Sequence, residues 1–365
     1  MTLTPDTARA WVDVDLGALR ANARRLASLT GSRLLPMVKA NGYGLGALAV
    51  ARALEPLEPW GYGVATIEEG AALRTAGIGR PILVASPLVP DSIEGYLVHG
   101  LRPAIGDAAA LEAWTARSGQ PFHLEIDTGM SRAGVRWDDE AVVAATASLL
   151  RNAPGWEGTF THFHSADTDP ASAAEQWRRF HTVLAAFPRR PPLVHAANSA
   201  AALRGSTYAG DLIRPGIFLY GGSAGDEAPK PVASLRARVV AVRRLTAGES
   251  VSYGATWRAR RPTTVATLAM GYADGFLRSA HGPASRPARL VELGGAVVPV
   301  VGRVTMDLTM VDVADRPTAI GEVATVYGAG ISLDQQAEAA GTIAYELLTA
   351  LGARVARRYV ADEPI

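Results

Sequence analysis

The sequence predicts an α/β protein in which an N-terminal (β/α)8 TIM-type barrel precedes a mainly β C-terminal domain. Up to about residue 230, eight short apolar runs alternate with alanine-rich segments of helical period. Eight parallel strands, separated by helices, close into a barrel of this type. An open doubly wound sheet is the alternative, but no GxGxxG motif follows an early strand. After residues 225–231 the chain changes to β-rich runs separated by glycine and proline.

Each predicted barrel strand is a short apolar run bounded by small or polar residues. In chain order these runs are RLLPMV (33–38), GYGVAT (61–66), PILVAS (81–86), LRPAI (101–105), FHLEID (122–127), GTFTHF (158–163), LVHAAN (193–198) and PGIFLY (215–220).

Segments with helical period separate most of these strands. IEEGAALRTAG (67–77) follows Thr66, a favourable N-cap, and ends at Gly77. DEAVVAATASLLRNA (139–153) is a second predicted helix between two strands.

The predicted domain boundary lies at residue 231, with the barrel in residues 1–231 and the β domain in 232–365. The strand-like run at residues 10–15 precedes a helix and falls outside the eight barrel strands. We therefore expect residues 10–15 to form a strand of the second domain.

The composition excludes several classes of protein. Charge is balanced, with 36 Lys and Arg against 35 Asp and Glu, so no nucleic-acid surface is predicted. The chain has no cysteine, which excludes disulfides, thiolate metal sites and a cysteine nucleophile. The N-terminus lacks a signal-peptide pattern and no apolar run reaches membrane-spanning length. We expect a cytoplasmic protein that does not bind membranes.

Polar side chains follow the predicted strands at one end of the barrel, where barrel enzymes place their active sites. A strand-end lysine or histidine usually has a structural explanation, but the convergence of several indicates a site. Arginines with small-residue loops suit an anionic ligand, and a lysine near cations suits Schiff-base chemistry. The residues alone leave open an aldolase-type barrel or a pyridoxal phosphate (PLP) enzyme. The polar residues at this end of the barrel are Lys39, Tyr43, Asp127, Arg132, His162, His164, Asn198, Ser199 and Arg214.

Eight ordered motifs make the chain resemble the alanine racemases, the fold-type III PLP enzymes, over nearly its whole length. The resemblance implies a barrel followed by a β domain that includes the first strand. It also implies a PLP-dependent homodimer whose active sites are shared across the interface. The motifs are MVKANGYGLGA (37–47), EIDTGMSRAGV (125–135), THFHSAD (161–167), HAANSAA (195–201), IRPGIFLYG (213–221), VSYGATW (251–257), MGYADG (270–275) and GRVTMDLTMVDV (302–313).

The resemblance also implies four catalytic residues. Lys39 should hold PLP covalently and act as the base on the D side of the substrate. Tyr253, contributed by the partner subunit, should be the base on the L side. Arg214 should lie against the pyridine nitrogen, and His162 should orient Arg214.

Further residues match the family's binding positions. Arg132 should face the cofactor's phenolic oxygen and the substrate carboxylate, which the Met306 backbone also helps to hold. Tyr272 and Asp307 match residues of the access corridor and the site mouth. The phosphate contacts should come from Tyr43, Ser199 and the backbone N–H groups of Gly216 and Ile217.

Four positions depart from the family pattern. Glu125 occupies the place of a carbamylated lysine that supports the active-site arginine, and we expect its carboxylate to supply that charge to Arg132. Leu45 replaces a histidine, His164 an alanine, and Ala353 a tyrosine beside the catalytic tyrosine. The predicted function is L- and D-alanine interconversion, which would supply D-alanine as a peptidoglycan precursor. The alternatives are a racemase of another amino acid such as serine, a related PLP-dependent decarboxylase, and a PLP-carrier protein, which the second domain argues against.

Overall fold

The computed structural model describes residues 7–278 and 287–360, and eight parallel strands in this part of the chain form a barrel. Short strands suffice because helices cover the barrel outside and apolar side chains such as Leu35, Leu83 and Leu212 pack together inside it. The barrel strands are β2 (Arg33–Leu34), β3 (Tyr62–Val64), β4 (Ile82–Pro87), β5 (Arg102–Ile105), β6 (Phe122–Asp127), β8 (Trp156–Phe160), β9 (Leu193–His195) and β10 (Leu212–Ile213).

Hydrogen bonds close the barrel around its circumference. Strands β3 to β9 form one sheet, which a further strand, β7 (Val135–Arg136), joins beside β6, and β10 pairs with β2. Val38 N–H donates to the Gly63 carbonyl at 2.8 Å, which joins the first strand to β3. At the other seam Arg214 N–H donates to the Ala197 carbonyl at 2.8 Å.

Helices cover the barrel, and most of them start at a side chain that caps the first turn. Thr66, for example, accepts from Glu69 N–H, as the sequence predicts. Asp107, Asp139 and Asp169 do the same for later helices. The helices are α1 (Leu16–Thr30), α3 (Ala47–Leu54), α4 (Ile67–Thr75), α5 (Ile93–His99), α6 (Ala108–Arg117), α7 (Glu140–Leu150), α8 (Pro170–Ala186) and α9 (Ser199–Leu203), with a helical turn α2 (Lys39–Tyr43) after the first strand.

The C-terminal domain is an antiparallel sheet built around one long strand. Strand β11 (Ala233–Leu245) alternates buried and part-exposed residues from Ala233 to Val239. After Val239 its register shifts and it pairs with β14 (Thr263–Leu268), so that the sheet closes on itself. The strands are β11 (Ala233–Leu245), β12 (Ser250–Val251), β13 (Trp257–Arg258), β14 (Thr263–Leu268), β15 (Leu290–Leu293), β16 (Ala296–Val301), β17 (Thr309–Asp312), β18 (Val323–Tyr327) and β19 (Ala356–Val360), with helices α10 (Leu333–Ala340) and α11 (Ala344–Thr349).

The first strand of the chain, β1 (Ala10–Asp15), lies in this second sheet. It pairs antiparallel with β11 and parallel with β19.

The eighth predicted barrel strand was misplaced. PGIFLY (215–220) is not a strand, because residues Ile217–Tyr220 form a 3-10 helix, and the eighth strand is β10, directly upstream. A short, fully buried apolar run has no periodicity that separates helix from strand. None of the helices in the described part of the chain is long and apolar enough to cross a membrane.

Candidate active site

A cavity of about 400 Å³ opens at the carboxyl ends of the barrel strands. Seven of the residues predicted for the site line this cavity, which is of a size suited to a cofactor with a small substrate. Those residues are Lys39, Tyr43, Arg132, His162, Ser199, Arg214 and Gly216. Of the other polar residues predicted for this rim, Asn198 lines the cavity and caps α9, whereas Asp127 is buried and holds its own turn. Ile217 is fully buried behind the wall of the cavity.

Lys39 opens a turn with left-handed backbone geometry. Ala40, Asn41 and Tyr43 all have φ between 51° and 54°, which side chains other than glycine rarely adopt. Each such residue costs about 1–2 kcal/mol, so contacts elsewhere must hold the turn. One clamp is Glu69, whose carboxylate accepts from Ala40 N–H at 2.6 Å and from Ala65 N–H at 2.8 Å.

The Lys39 ammonium is half-buried among other cations. Burial lowers its pKa, Arg132 and Arg214 lower it further, and Glu69 acts in the opposite direction. A lysine in this environment loses its proton more easily than one in water.

Arg214 is the most constrained group of the site, with only 5% of its surface exposed. Nη1 donates to His195 Nδ1 at 2.8 Å and to the His195 carbonyl at 3.0 Å. Nη2 donates to the carbonyls of Thr161 at 2.7 Å and Ala196 at 3.0 Å, and lies 3.3 Å from His162 Nδ1. Burial lowers the Arg214 pKa to about 10, so the guanidinium is still charged at neutral pH. Within residues 7–278 and 287–360 the Nε–H has no hydrogen-bond acceptor and is left for a ligand in the cavity.

His162 acts as an acceptor toward Arg214, because a guanidinium can only donate. Burial, together with the charges of Arg214, Arg132 and Lys39, lowers the His162 pKa to about 3. The imidazole is therefore neutral, and its Nε2 carries the hydrogen.

Hydroxyl and backbone donors gather at the opposite wall. Ser199 Oγ accepts from Gly216 N–H at 2.9 Å, which leaves the Ser199 hydroxyl hydrogen free to donate. A Cβ on Gly216 would lie 2.3 Å from the Tyr43 hydroxyl, so only glycine fits here. The Tyr43 ring stacks on Tyr220 with centroids 4.4 Å apart, and burial raises its pKa, which keeps the phenol protonated.

Glu125 lines the cavity without a direct partner. Its Oε2 is buried with no hydrogen bond, and within the described ranges it forms no ion pair with Arg132. Burial raises the Glu125 pKa, while the charges of Arg132 and Arg214 oppose the rise. The support that the sequence predicts for Arg132 is thus a longer-range electrostatic interaction.

The other departures from the family pattern do not line the cavity. Leu45 is fully buried in the core, whereas His164 and Ala353 are exposed.

The remaining predicted site residues lie on the C-terminal domain, away from this cavity. Tyr253 is 70% exposed and Met306 52%, and the Tyr272 and Asp307 side chains are also open to solvent. Tyr272, Met306 and Asp307 lie in one cluster. Tyr272 N–H donates to the Thr305 carbonyl, and Ala273 N–H donates to the Met306 carbonyl, both at 3.0 Å.

Two arginines bind this cluster to a buried carboxylate. Asp274 is 1% exposed and accepts from Arg9 at 2.8 Å and from Arg354 at 2.7 Å. Arg354 also donates to Asp307 at 2.6 Å. The loops that carry Tyr272, Met306 and Asp307 are thereby held as one surface.

Sequence reasoning missed three residues near the cavity: Glu69, His195 and Tyr345. Glu69 follows Thr66 at the spacing of a helix cap, which conceals its contact with the Lys39 turn. Tyr345 reaches the cavity from α11 and its ring centre lies 5.9 Å from that of Tyr43. His195 begins the motif HAANSAA (195–201) and ends barrel strand β9, and this position is the signal from which its role at the site could have been predicted. No group of three or more histidines and carboxylates in the described residues could hold a metal ion.

These features define a barrel enzyme whose cavity holds a single lysine amid arginines and hydroxyl donors, suited to a small anionic ligand. Sequence models described as alanine racemase N-terminal domain and C-terminal domain match residues 14–224 and 232–359. The chain belongs to the alanine racemase family.

Individual relatives agree over nearly full length. An alanine racemase of Deinococcus radiodurans is 40% identical over 358 residues, 96% of this chain and 99% of that protein. The biosynthetic alanine racemase of Pseudomonas aeruginosa superposes with a TM-score of 0.87 at 35% identity, covering 97% of this chain and 99% of that one. The Bartonella henselae alanine racemase, solved with covalently bound pyridoxal phosphate, gives a TM-score of 0.88 at 30% identity, covering 97% of this chain and 100% of that one.

Proposed function

We propose that this chain is a PLP-dependent racemase that interconverts L- and D-alanine with two bases, Lys39 and Tyr253 of the partner subunit. The observation that carries the proposal is the pairing, in one cavity, of a lysine with a lowered pKa and an arginine whose Nε–H alone has no acceptor among the described residues. When bound, PLP supplies the electron sink that makes the substrate's Cα proton acidic.

The cavity residues fit this cofactor. The Nε–H of Arg214 is a donor for the pyridine nitrogen, which must then be unprotonated, because the guanidinium cannot accept a hydrogen bond. The hydroxyls of Tyr43 and Ser199, with the backbone N–H of Ile217, would be donors for the phosphate. The Gly216 N–H would join them only by giving up its hydrogen bond to Ser199 Oγ. Lys39, which lines the same cavity, would be the covalent anchor.

Lys39 would also move the Cα proton of the D-enantiomer. Its amine must be neutral to do so, which burial and the neighbouring arginines favour. Arg132, on the rim of the cavity, would bind the substrate carboxylate with help from the Met306 backbone. Neutral His162 would keep the head of Arg214 in place by accepting from Nη2.

Tyr253 would act on the opposite face from the partner subunit. It follows Ser252, which has a φ of 66°, and the Ser252 hydroxyl holds this loop by donating to the Arg303 carbonyl at 2.6 Å. A tyrosine that is 70% exposed on a fixed loop is suited to completing a neighbouring chain's cavity. Each homodimer would contain two such shared sites, in the cytoplasm, and the product D-alanine would serve as a peptidoglycan precursor.

Isotope exchange tests the reaction. The purified protein, loaded with PLP, is incubated in D₂O with each L- and D-amino acid, and Cα–H exchange and chirality are followed by NMR and chiral chromatography. Exchange and inversion with alanine in both directions are expected. Exchange confined to another amino acid such as serine, or CO₂ release without inversion, would overturn the assignment.

Complementation tests the shared site. A Lys39→Ala chain and a Tyr253→Phe chain, each inactive alone, are mixed, partly unfolded and reassembled. Random pairing gives half heterodimers with one intact site of two, so about a quarter of wild-type activity should return. No recovery on mixing, with heterodimers shown to form, would place both bases in one chain.

A further inference from the structure

A line of hydrogen-bonded side chains runs from the cavity through the barrel interior to its opposite end. Arg214 Nη1 lies 2.8 Å from His195 Nδ1, and His195 Nε2 lies 2.8 Å from His123 Nδ1. His123 Nε2 lies 3.2 Å from Glu157 Oε2, which Arg102 Nε also contacts at 2.8 Å. Both imidazoles are fully buried. We call Arg214, His195, His123 and Glu157 the buried relay.

The hydrogen bonds of this relay can run in only one direction, from Arg214 as the first donor to Glu157 as the last acceptor. A guanidinium only donates, so His195 Nδ1 must accept and the His195 hydrogen must lie on Nε2. That hydrogen is donated to His123 Nδ1, so His123 in turn carries its hydrogen on Nε2 and donates to Glu157. Burial lowers the pKa of both imidazoles, which keeps each neutral and limited to one hydrogen.

The two ends of the relay carry opposite charges. Burial works against ionisation of Glu157, but the hydrogen bonds from His123 and Arg102 outweigh it and lower the Glu157 pKa. In the part of the chain that the structure describes, no carboxylate forms an ion pair with the Arg214 guanidinium. The aligned imidazoles therefore connect the buried cation to its nearest hydrogen-bonded anion, and such chains polarise in one direction.

Barrel topology explains how this connection spans the interior. Glu157 and His123 lie near the starts of β8 and β6, whereas His195 ends β9 and Arg214 follows β10. The imidazoles thus bridge the two ends of the barrel. Phe160 stacks on His195 with centroids 5.0 Å apart and lies 5.1 Å from the Arg214 guanidinium carbon, which excludes water from this segment.

We propose that Glu157, acting through His123 and His195, is a remote anchor that fixes the orientation and hydrogen-bonding direction of the Arg214 guanidinium. His195, His123 and Glu157 are positioning residues, and the inference rests on the proposed function because Arg214 is taken to bind the pyridine nitrogen. With both Nη groups held, the only freedom left to Arg214 is to present Nε–H to the cavity. Removing the remote charge should loosen that presentation although Glu157 touches nothing in the cavity.

The first test measures tautomers in the unaltered protein. The ¹⁵N-histidine-labelled holoenzyme is studied by NMR between pH 5 and 8, with single His→Gln variants used for assignment. His195 and His123 should both give the neutral Nε2–H pattern over the whole range. A neutral Nδ1–H tautomer or an imidazolium at either residue would overturn the relay.

The second test compares two glutamates. Glu157→Gln keeps an acceptor oxygen but removes the charge, and should weaken PLP binding to the apoenzyme by about tenfold, the lower end of the effect of losing a residue that orients a metal ligand. The visible absorption band of the bound cofactor should shift its pH midpoint as well. Glu55→Gln is the matched control, because Glu55 also contacts Arg80 at 2.9 Å but has no link to Arg214.

The outcomes separate the two proposals. If the wild-type protein binds PLP and racemises alanine, yet Glu157→Gln matches Glu55→Gln in cofactor affinity and absorption, the remote anchor is wrong. If the wild-type protein binds no PLP, the proposed function fails, and the tautomer measurement on the unloaded protein still decides the relay. Should Glu157→Gln fail to fold, His123→Gln provides the same comparison.

Discussion

The two halves of the candidate site differ in how completely one chain builds them. The barrel half is buried and interlocked, with Arg214 engaged by five acceptors and the Lys39 turn clamped by Glu69. The C-terminal half, which carries Tyr253, is exposed and rests on loops that face solvent. Under the proposed function, the barrel half would bind the cofactor within one chain, whereas the other half would act only against a second surface.

The largest effect expected from this contrast is that of Tyr253→Phe. The Tyr253 hydroxyl has no hydrogen bond to the described residues, so its loss should leave melting temperature and PLP binding unchanged. Racemisation should fall by about 10²–10⁴-fold, the usual contribution of a general acid or base. Steady-state rates in both directions, with PLP titrations, measure this split. Tyr272→Phe on the same surface should cost far less, and near-normal turnover of Tyr253→Phe would remove Tyr253 from the mechanism.

Gly216→Ala tests the close packing that distinguishes the barrel half from the exposed half. Its new methyl group would lie 2.3 Å from the Tyr43 hydroxyl, so the phosphate wall must shift. Overpacking of this kind costs about 1–3 kcal/mol, and we expect PLP affinity to fall by about 10- to 100-fold. Absorbance titration of the apoenzyme measures it. Gly79→Ala, where a Cβ meets no atom within 4 Å, is the control. Unchanged affinity in Gly216→Ala would show that this wall does not hold the phosphate.

Asp274→Asn tests whether the exposed half is held as one surface. The substitution leaves Arg9 and Arg354 without their shared buried charge. Because both arginines are partly exposed, we expect a loss of about 1–3 kcal/mol in the free energy of unfolding, below the cost of breaking a fully buried pair. Racemisation should fall by about tenfold with PLP affinity unchanged, since the loops of Tyr272 and Met306 shift.

Denaturant unfolding with turnover measures both effects. Asp138→Asn, which removes an exposed pair with Arg136, should change neither quantity. If Asp274→Asn weakens PLP binding as much as turnover, the two halves of the site are not independent.

The sequence was sufficient to predict most of the fold and seven of the residues that line the cavity. Strand and helix periodicity located seven barrel strands, but PGIFLY, apolar throughout, gave no basis for separating a 3-10 helix from a strand. The motifs identified seven residues that line the cavity, because each of these residues lies in or beside a strand end. They did not reveal Glu69 or His123, whose roles depend on contacts with residues far away in the chain. Such contacts are properties of the closed barrel.

Glu125→Gln should have the smallest effect on turnover, and it examines a buried carboxylate of the barrel half that has no direct partner among the described residues. Burial raises the Glu125 pKa in the folded protein against the pull of Arg132 and Arg214, with Asp127 adding to the rise. The unfolded state therefore ionises first as pH increases, and the wild-type protein loses stability as pH rises through the folded pKa. Glutamine does not ionise, so the variant avoids this loss.

At pH 8 Glu125→Gln should be the more stable protein by about 1–3 kcal/mol, the usual cost of a buried group without a partner. The difference should vanish as pH falls below about 4, where the carboxyl becomes protonated in both states. Thermal unfolding of both proteins across this range measures it, and turnover should change less than in Tyr253→Phe or Asp274→Asn because no direct Glu125–Arg132 contact is lost. A variant that is less stable than wild type at pH 8 would mean that the Glu125 carboxylate is ionised and stabilised by Arg132, so the charge support would then be direct.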